Sequence, residues 1–365
     1  LTGGRPSLLH VFPGFGVGGA QMRLAQVANH WGARFSHRIV ALDGNLACRE
    51  RLDPGLDVAF LDAGLVKGDT LGNLRRIRAA LAAWRPDVLV TSNWGAIEWA
   101  LATCWPGPRR LRHIHTEDGF GPEERDRQLR RRVWTRRLAL RRAHVVLPSR
   151  TLLRLATDVW RLDPARLRYI PNGVDLARFA PIDRAPRADS PVIGTVAALR
   201  PEKNLSRLLQ AFRLVGETLP AARLVIIGDG AERGALEREA EALGLADRVT
   251  FAGHLSEPAR AYSGFDLFAL SSDTEQMPLS VLEAMAAGRA VVTTAVGDVA
   301  AMLAPDNLPY VTPRAVAPFA AALLALLRDP VQRGAIGAAN RAKAVCDYGQ
   351  DRMFESYAAL FEAAA

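Results

Sequence analysis

Two periodicities share this chain. Short apolar runs, bounded by Gly, Pro or polar residues, recur at 8–13 (LLHVFP), 36–42 (SHRIVAL), 58–63 (VAFLDA), 87–92 (DVLVTS), 111–116 (LRHIHT) and 144–149 (HVVLPS). They read as strands. Between them lie helical stretches from about Gly19 and near 70–84, 93–104 and 123–142. The alternation restarts with strands at 191–199, 222–230, 249–255, 265–272 and 290–294, and with a helix entered from RPEKN at 200–204. Strands that alternate with helices predict mainly parallel sheets wrapped by helices, the α/β class. The break between the two series is the short, polar, proline-containing segment APIDRAPRADSP at 180–191, which reads as a linker. The expected organisation is a domain over 1–180, a second over 190–345 and a terminal segment over 346–365. That last segment is amphipathic, with Met353, Tyr357, Leu360 and Phe361 on roughly one side.

Ligands of parallel sheets bind at the carboxyl ends of strands, so the polar clusters there are the candidate chemistry. After the first strand, GFGVGGA places Gly16, Gly18 and Gly19 before a helix. The backbone can approach a ligand closely there, either as a phosphate cradle or as a tight structural turn. The spacing is not GxGxxG, and no P-loop lysine follows. His113 and His115 alternate on one strand and share a face, with His115 at its end. Glu117 and Asp118 follow, as acids for a substrate or as acceptors for loop amides. In the second half, Arg200 and Lys203 stand at a strand's carboxyl end, where two cations can clamp a diphosphate. The stretch SSDTEQMPLSVLEAMAAG at 271–288 puts Glu275 in a loop and Glu283 in the helix after Pro278. The amides of Leu279 and Ser280 are then free at the helix start for an anionic group.

Composition changes the picture in four ways. A length of 365 residues suggests two cores. No run of about eighteen apolar residues predicts a membrane-spanning helix, and LTGGRPSLLHVFPGFG lacks the features of a secretory signal, so a cytoplasmic protein is the expectation. Cys48, Cys104 and Cys346 are scattered and odd in number, which reads as packing residues and not as a disulfide framework or a metal site. Residues 1–190 carry 31 Lys+Arg against 18 Asp+Glu, and the remainder 16 against 20, so the two parts hold about +13 and −4. Nine of the basic residues lie between Arg125 and Arg142, after a helix start at Pro122, Glu123, Glu124 and Asp126. They form either a solvated face or a surface for an anionic membrane or a polyphosphate. Confinement of the basic run to one helix disfavours nucleic acid.

The order GFGVGGAQ, a strand-end histidine, IPNGVD, RPEKN, IIGDG, FAGH and SSDTEQMPLSVLEAMAAG resembles the retaining nucleotide-sugar glycosyltransferases of family four. The resemblance covers nearly the whole chain. It implies the GT-B fold of two facing Rossmann-like domains with a cleft between them, the terminal helix crossing back to the first. It implies a UDP- or GDP-linked sugar as co-substrate, no cofactor and no metal. His115, Arg200, Lys203 and Glu275 would be the catalytic set: the two cations on the diphosphate, Glu275 on the transferred sugar and His115 beside it. Gly16, Gly18, Gly19, Asn172, Gly228, His254, Leu279, Ser280 and Glu283 would bind the donor, with Glu283 on the ribose. Glu117 and Asp118 would contact an acceptor, a glycan or a lipid-linked one. A nucleotide-sugar epimerase and a non-catalytic sugar-nucleotide- or glycan-binding scaffold are the alternatives. In most relatives glycine follows the first glutamate, whereas Gln276 and Met277 stand here.

Overall fold

A computed structural model describes residues 5–104, 111–120, 122–124, 127–181, 190–255 and 257–363. Most of the expected linker, 182–189, lies outside the described residues, as do Arg125 and Asp126. The chain forms two compact units, Leu1–Pro171 with Met353–Ala365, and Asn172–Arg352.

In the first unit, strands β1 (Ser7–Phe12), β2 (Ser36–Ala41), β3 (Val58–Phe60), β4 (Val88–Ser92), β5 (Arg112–Thr116), β6 (His144–Leu147) and β7 (Leu167–Tyr169) pair in the order β3-β2-β1-β4-β5-β6-β7. Every pairing is parallel. Successive residues of β1 enter opposite layers, as the two-residue period requires. Leu8 packs with Val88, Ile114, Val146 and the terminal helix residues Met353, Phe354, Tyr357 and Phe361. Leu9 packs with Val40, Ile77, Leu89 and Trp99 on the other side. The terminal helix, Gln350–Glu362, is thus part of this unit's core, and the Trp31 ring N–H donates to the Phe354 carbonyl at 3.1 Å.

In the second unit, β8 (Val192–Val196), β9 (Arg223–Ile227), β10 (Val249–Gly253), β11 (Leu267–Leu270), β12 (Ala290–Thr294) and β13 (Val311–Thr312) form a parallel sheet in the order β10-β9-β8-β11-β12-β13. One face packs on Leu208, Leu209, Phe212 and Phe319, the other on Val281, Leu282 and Met285. The strand order reverses between β1 and β4 and between β8 and β11, and the carboxyl ends at such reversals are where ligands bind.

Three expectations change. The helix expected over 123–142 begins at Arg130 and ends at Leu140, and Pro122–Glu124 is a separate 3-10 turn. Glu124 serves there as an internal partner, accepting from the Leu129 amide at 3.1 Å and pairing with Arg132 and Arg136, so it is not a first-turn acid. The stretch 93–104 is a 3-10 turn, Trp94–Ala96, followed by a short helix, Ile97–Ala102. Asn93, at φ 59, gives its amide to the Thr116 carbonyl. Cys48 and Cys104 are buried, but Cys346 is exposed. No helix among the described residues is long and apolar enough to cross a membrane.

Candidate functional site

The second unit gathers its polar residues where the sheet order reverses. After β8 the chain turns through Pro201–Lys203 to Asn204, which takes the left-handed conformation at φ 43. Asn204 caps the helix Leu205–Thr218 by accepting from the Arg207 amide at 3.1 Å, and its side-chain N–H donates to Asp273 at 3.1 Å. Arg207 donates to the other Asp273 oxygen and to the Ser271 carbonyl, both at 2.6 Å. These bonds tie the loop after β8 to the loop after β11. Lys203 Nζ consequently lies 2.5 Å from Glu275 Oε1, and the Ser272 hydroxyl donates to the same oxygen at 2.7 Å. Glu275 Oε2 has no partner among the described residues. Arg200 is exposed and its guanidinium has no partner among the described residues either.

The loop from Glu275 into the helix Leu279–Ala286 is braced from below. Asn172 donates to the Met277 carbonyl at 2.9 Å, Asp298 N to the Gln276 carbonyl at 3.0 Å, and the Thr294 hydroxyl to the Ser272 carbonyl at 2.5 Å. Gly297, at φ 50, passes so close that a Cβ there would stand 2.1 Å from the Glu275 carbonyl. Pro278 precedes the helix without a side-chain cap, and the first amides, Leu279 and Ser280, have no acceptor within the helix. About one turn on, Glu283 Oε2 accepts from the Tyr262 hydroxyl at 2.6 Å. Burial pushes the Glu283 carboxyl above the usual range against the pull of that bond and of Arg178. At Gly228, φ is 133, and a Cβ would meet the Ala197 carbonyl at 1.8 Å, so glycine alone lets the end of β9 touch the loop after β8. His254 is exposed just beyond β10.

In the first unit the glycine loop is ordered by side chains. Gln21 donates to the Gly14 carbonyl at 2.7 Å, and Cβ atoms would approach Gln21 at Gly18 and Asn45 at Gly16. Gly18 caps the helix Gly19–Trp31 in an extended conformation, and Gly19 is exposed. His115 is fully buried. Its Nδ1 is 2.9 Å from the Thr91 hydroxyl, which is 2.7 Å from His113 Nε2. Burial, helped by His115, lowers the His113 pKa to about 3. His115 Nε2 is 3.7 Å from Glu117 Oε2, and neither that nitrogen nor Glu117 Oε1 has a hydrogen-bond partner among the described residues. Glu117 accepts from Arg136 Nε at 3.3 Å. Asp118 takes both arms of Arg23, at 2.6 and 2.8 Å. The two acids read as acceptor ligands each face an arginine of their own unit.

Lys203, Glu275 and the helix start at Leu279 and Ser280 are thus held by one bonded framework, with Asn172 bracing it through Met277. Sequence reading missed Ser272, Asn204, Arg207, Asp273 and Tyr262. Asn204 carried a signal, an asparagine before a helical run. Tyr262 carried none, being a lone aromatic in a short helix, Ala259–Ser263.

Two parallel sheets with Rossmann-type strand order make this an α/β protein of the GT-B class. The family follows from sequence: residues 17–178 match Glycosyltransferase Family 4 and residues 180–343 match Glycosyl transferases group 1, and the chain belongs to this family. The 2-deoxystreptamine N-acetyl-D-glucosaminyltransferase of Streptomyces fradiae is 30% identical over 346 residues, covering 83% of this chain and 79% of that protein. The D-inositol 3-phosphate glycosyltransferase of Segniliparus rotundus is 28% identical over 287 residues, and the match covers 72% of this chain but only 63% of that relative's length. Among solved structures, Anabaena HepE in complex with UDP and glucose superposes with a TM-score of 0.81 at 18% identity, covering 98% of this chain and 100% of that one. Sucrose-phosphate synthase from Thermosynechococcus elongatus gives 0.80 at 21% identity, with 98% and 99% covered.

Proposed function

We propose that the protein transfers a sugar from a UDP- or GDP-linked donor to an acceptor hydroxyl with retention of configuration. The observation that carries this is the convergence of Lys203 and Ser272 on one oxygen of Glu275, at the open helix start, with the exposed cation Arg200 three residues before Lys203. The diphosphate takes Arg200, Lys203 and the amides of Leu279 and Ser280. The second oxygen of Glu275 accepts hydroxyls of the transferred sugar, and that of Glu283 accepts ribose hydroxyls. The bond from the anomeric carbon to the diphosphate oxygen breaks, and the two cations stabilise the charge that develops on the leaving group. The acceptor oxygen bonds to the anomeric carbon on the face the diphosphate leaves, and its proton passes to the departing diphosphate. Two cations and helix amides supply the positive charge a metal would otherwise bring, so the reaction runs without a metal.

The first unit serves the acceptor, a glycan or a lipid-linked saccharide of cell-surface polysaccharide or glycolipid synthesis. The arginine-bearing helix holds the protein at the cytoplasmic face of an anionic membrane. Supporting this is the outward set of Arg130, Arg131, Arg141 and Arg142 around exposed Trp134.

Incubation of the purified chain with a panel of UDP- and GDP-sugars should raise its unfolding temperature with at least one donor and show slow donor hydrolysis or transfer. Lys203→Ala or Glu283→Ala should reduce turnover by about 100-fold or more with unchanged circular dichroism. No response to any donor would refute the reading. Conversion of the sugar without an acceptor would replace it with an epimerase, and binding without turnover would replace it with a scaffold.

A further inference from the structure

Tyr262 is fully buried. Its ring stands edge-on to Phe179 and Phe265 at 5.6 and 5.7 Å and stacks on Phe268 at 5.7 Å. Phenylalanine would fill such a cage as well, and a hydroxyl there is costly unless it is bonded. Its partner is Glu283 Oε2 at 2.6 Å, a separation typical of a bond to a charged acceptor. The bond joins residues 21 apart in sequence and fixes the rotation of the carboxyl about its last torsion, which is otherwise broad. With Oε2 occupied, Oε1 has no partner among the described residues and is not among the orphan atoms shut off from solvent. Arg178, whose Nη2 donates to both oxygens of Glu257 at 3.0 Å, adds a positive charge that favours the ionised form of Glu283.

We propose that Tyr262 is a positioning residue that aims the second oxygen of Glu283 at a ribose hydroxyl, and so sets the preference of the site for ribonucleotide over deoxyribonucleotide donors. The inference rests on Glu283 being the ribose ligand, as assigned above. Tyr262 itself touches no substrate. Its hydroxyl acts through the carboxylate, and its ring only completes the apolar cage. Arg178 and Glu257 hold charge nearby but leave the carboxyl free to rotate, so orientation depends on the tyrosine.

The test is calorimetric titration of the full chain and of its Tyr262→Phe and Glu283→Gln variants with UDP, GDP and their 2′-deoxy and 3′-deoxy counterparts. The unaltered protein should bind its preferred ribonucleotide at least about 10-fold more tightly than one of the deoxy forms, because a site built to bond a hydroxyl rejects the analogue that lacks it. Tyr262→Phe should bring that ratio below about 3-fold, chiefly by weakening the ribonucleotide, since the loss is of one charge-assisted hydrogen bond's direction. Glu283→Gln should remove most of the ratio too. A Tyr262→Phe variant that weakens both forms equally, or neither, overturns the proposal and leaves Glu283 in place as the ribose ligand. Absence of any ratio in the unaltered protein, or its persistence in Glu283→Gln, overturns the ribose role of Glu283 itself.

Discussion

Arg136 occupies a place that the other described arginines between 127 and 142 do not. It is fully buried, donates to both oxygens of Glu124 at 3.1 and 3.0 Å and to Glu117 at 3.3 Å, and lies 5.0, 5.2 and 5.0 Å from the rings of Trp94, Phe120 and Trp160. A planar guanidinium suits this cage, because its edges bond carboxylates while its faces meet aromatic rings. Removing it leaves two buried carboxylates without their main partner. Arg136→Ala should therefore destabilise the first unit by about 3–5 kcal/mol, whereas Arg131→Ala on the exposed side of the same helix should stay within about 0.5 kcal/mol, both read from urea unfolding. Equal effects would show the cage to be unimportant. The difference between these two arginines was invisible in sequence, because it depends on residues at 94, 117, 120 and 160 that no local pattern connects. The same holds for Arg23, which meets Asp118 across 95 residues. Glu275 and Glu283 were legible because both fall inside one short run whose helix start is marked by Pro278.

The helix Arg130–Leu140 as a whole shows two kinds of face. Arg132 and Arg136 turn to Glu123, Glu124 and Glu117, and Arg137 donates to the Val159 carbonyl while lying over the Trp134 ring at 4.9 Å. Arg127, Arg130, Arg131, Arg141 and Arg142 remain exposed around Trp134 and Leu138, which are 67% and 45% exposed. Trp134 and Leu138 are four apart and share a side of the helix. An indole and a leucine ringed by cations match the boundary between headgroups and acyl chains. Sedimentation with phosphatidylcholine vesicles should show binding that rises with added phosphatidylglycerol and falls with salt, and Trp134→Ala should weaken it several-fold. Absent or salt-insensitive binding would remove the membrane from the account. Periodicity missed the short strands β7 and β13, and some of the strands it did find run too long at their ends. The run 265–272 yields a strand only over Leu267–Leu270, because Ser271 and Ser272 give their carbonyls to Arg207 and Thr294. Polar residues at those ends leave the ladder to build the site, and an apolar count does not register that change of partner.

Across the whole molecule, histidines are concentrated in the first unit. His10, His30, His37, His113, His115 and His144 belong to it, and only His254 lies in the second. The His10 and His37 rings stack at 5.3 Å with nitrogens 3.1 Å apart. Burial lowers the His10 pKa well below the usual value, with His37 adding to the effect. It brings His37 to about 4 against a smaller pull from Asp57, and His113 to about 3. A histidine whose folded pKa is depressed binds fewer protons folded than unfolded, so stability rises with pH. The contribution is whole above the unfolded value near 6.5 and is lost progressively as pH falls toward about 4 for His37 and about 3 for His113. At pH 5 each such histidine should cost roughly 2 kcal/mol. Protonation there also adds to the positive charge already carried by residues 1–190, which increases self-repulsion. The second unit has no buried histidine among its described residues to drive the same loss. Hydrogen exchange, corrected for intrinsic rates, should therefore show protection in β1, β2 and β5 falling between pH 7 and pH 5 while that in β8, β9 and β11 holds. Equal loss in both units would mean that acid acts through the carboxylate pairs they share and not through the histidines that distinguish them.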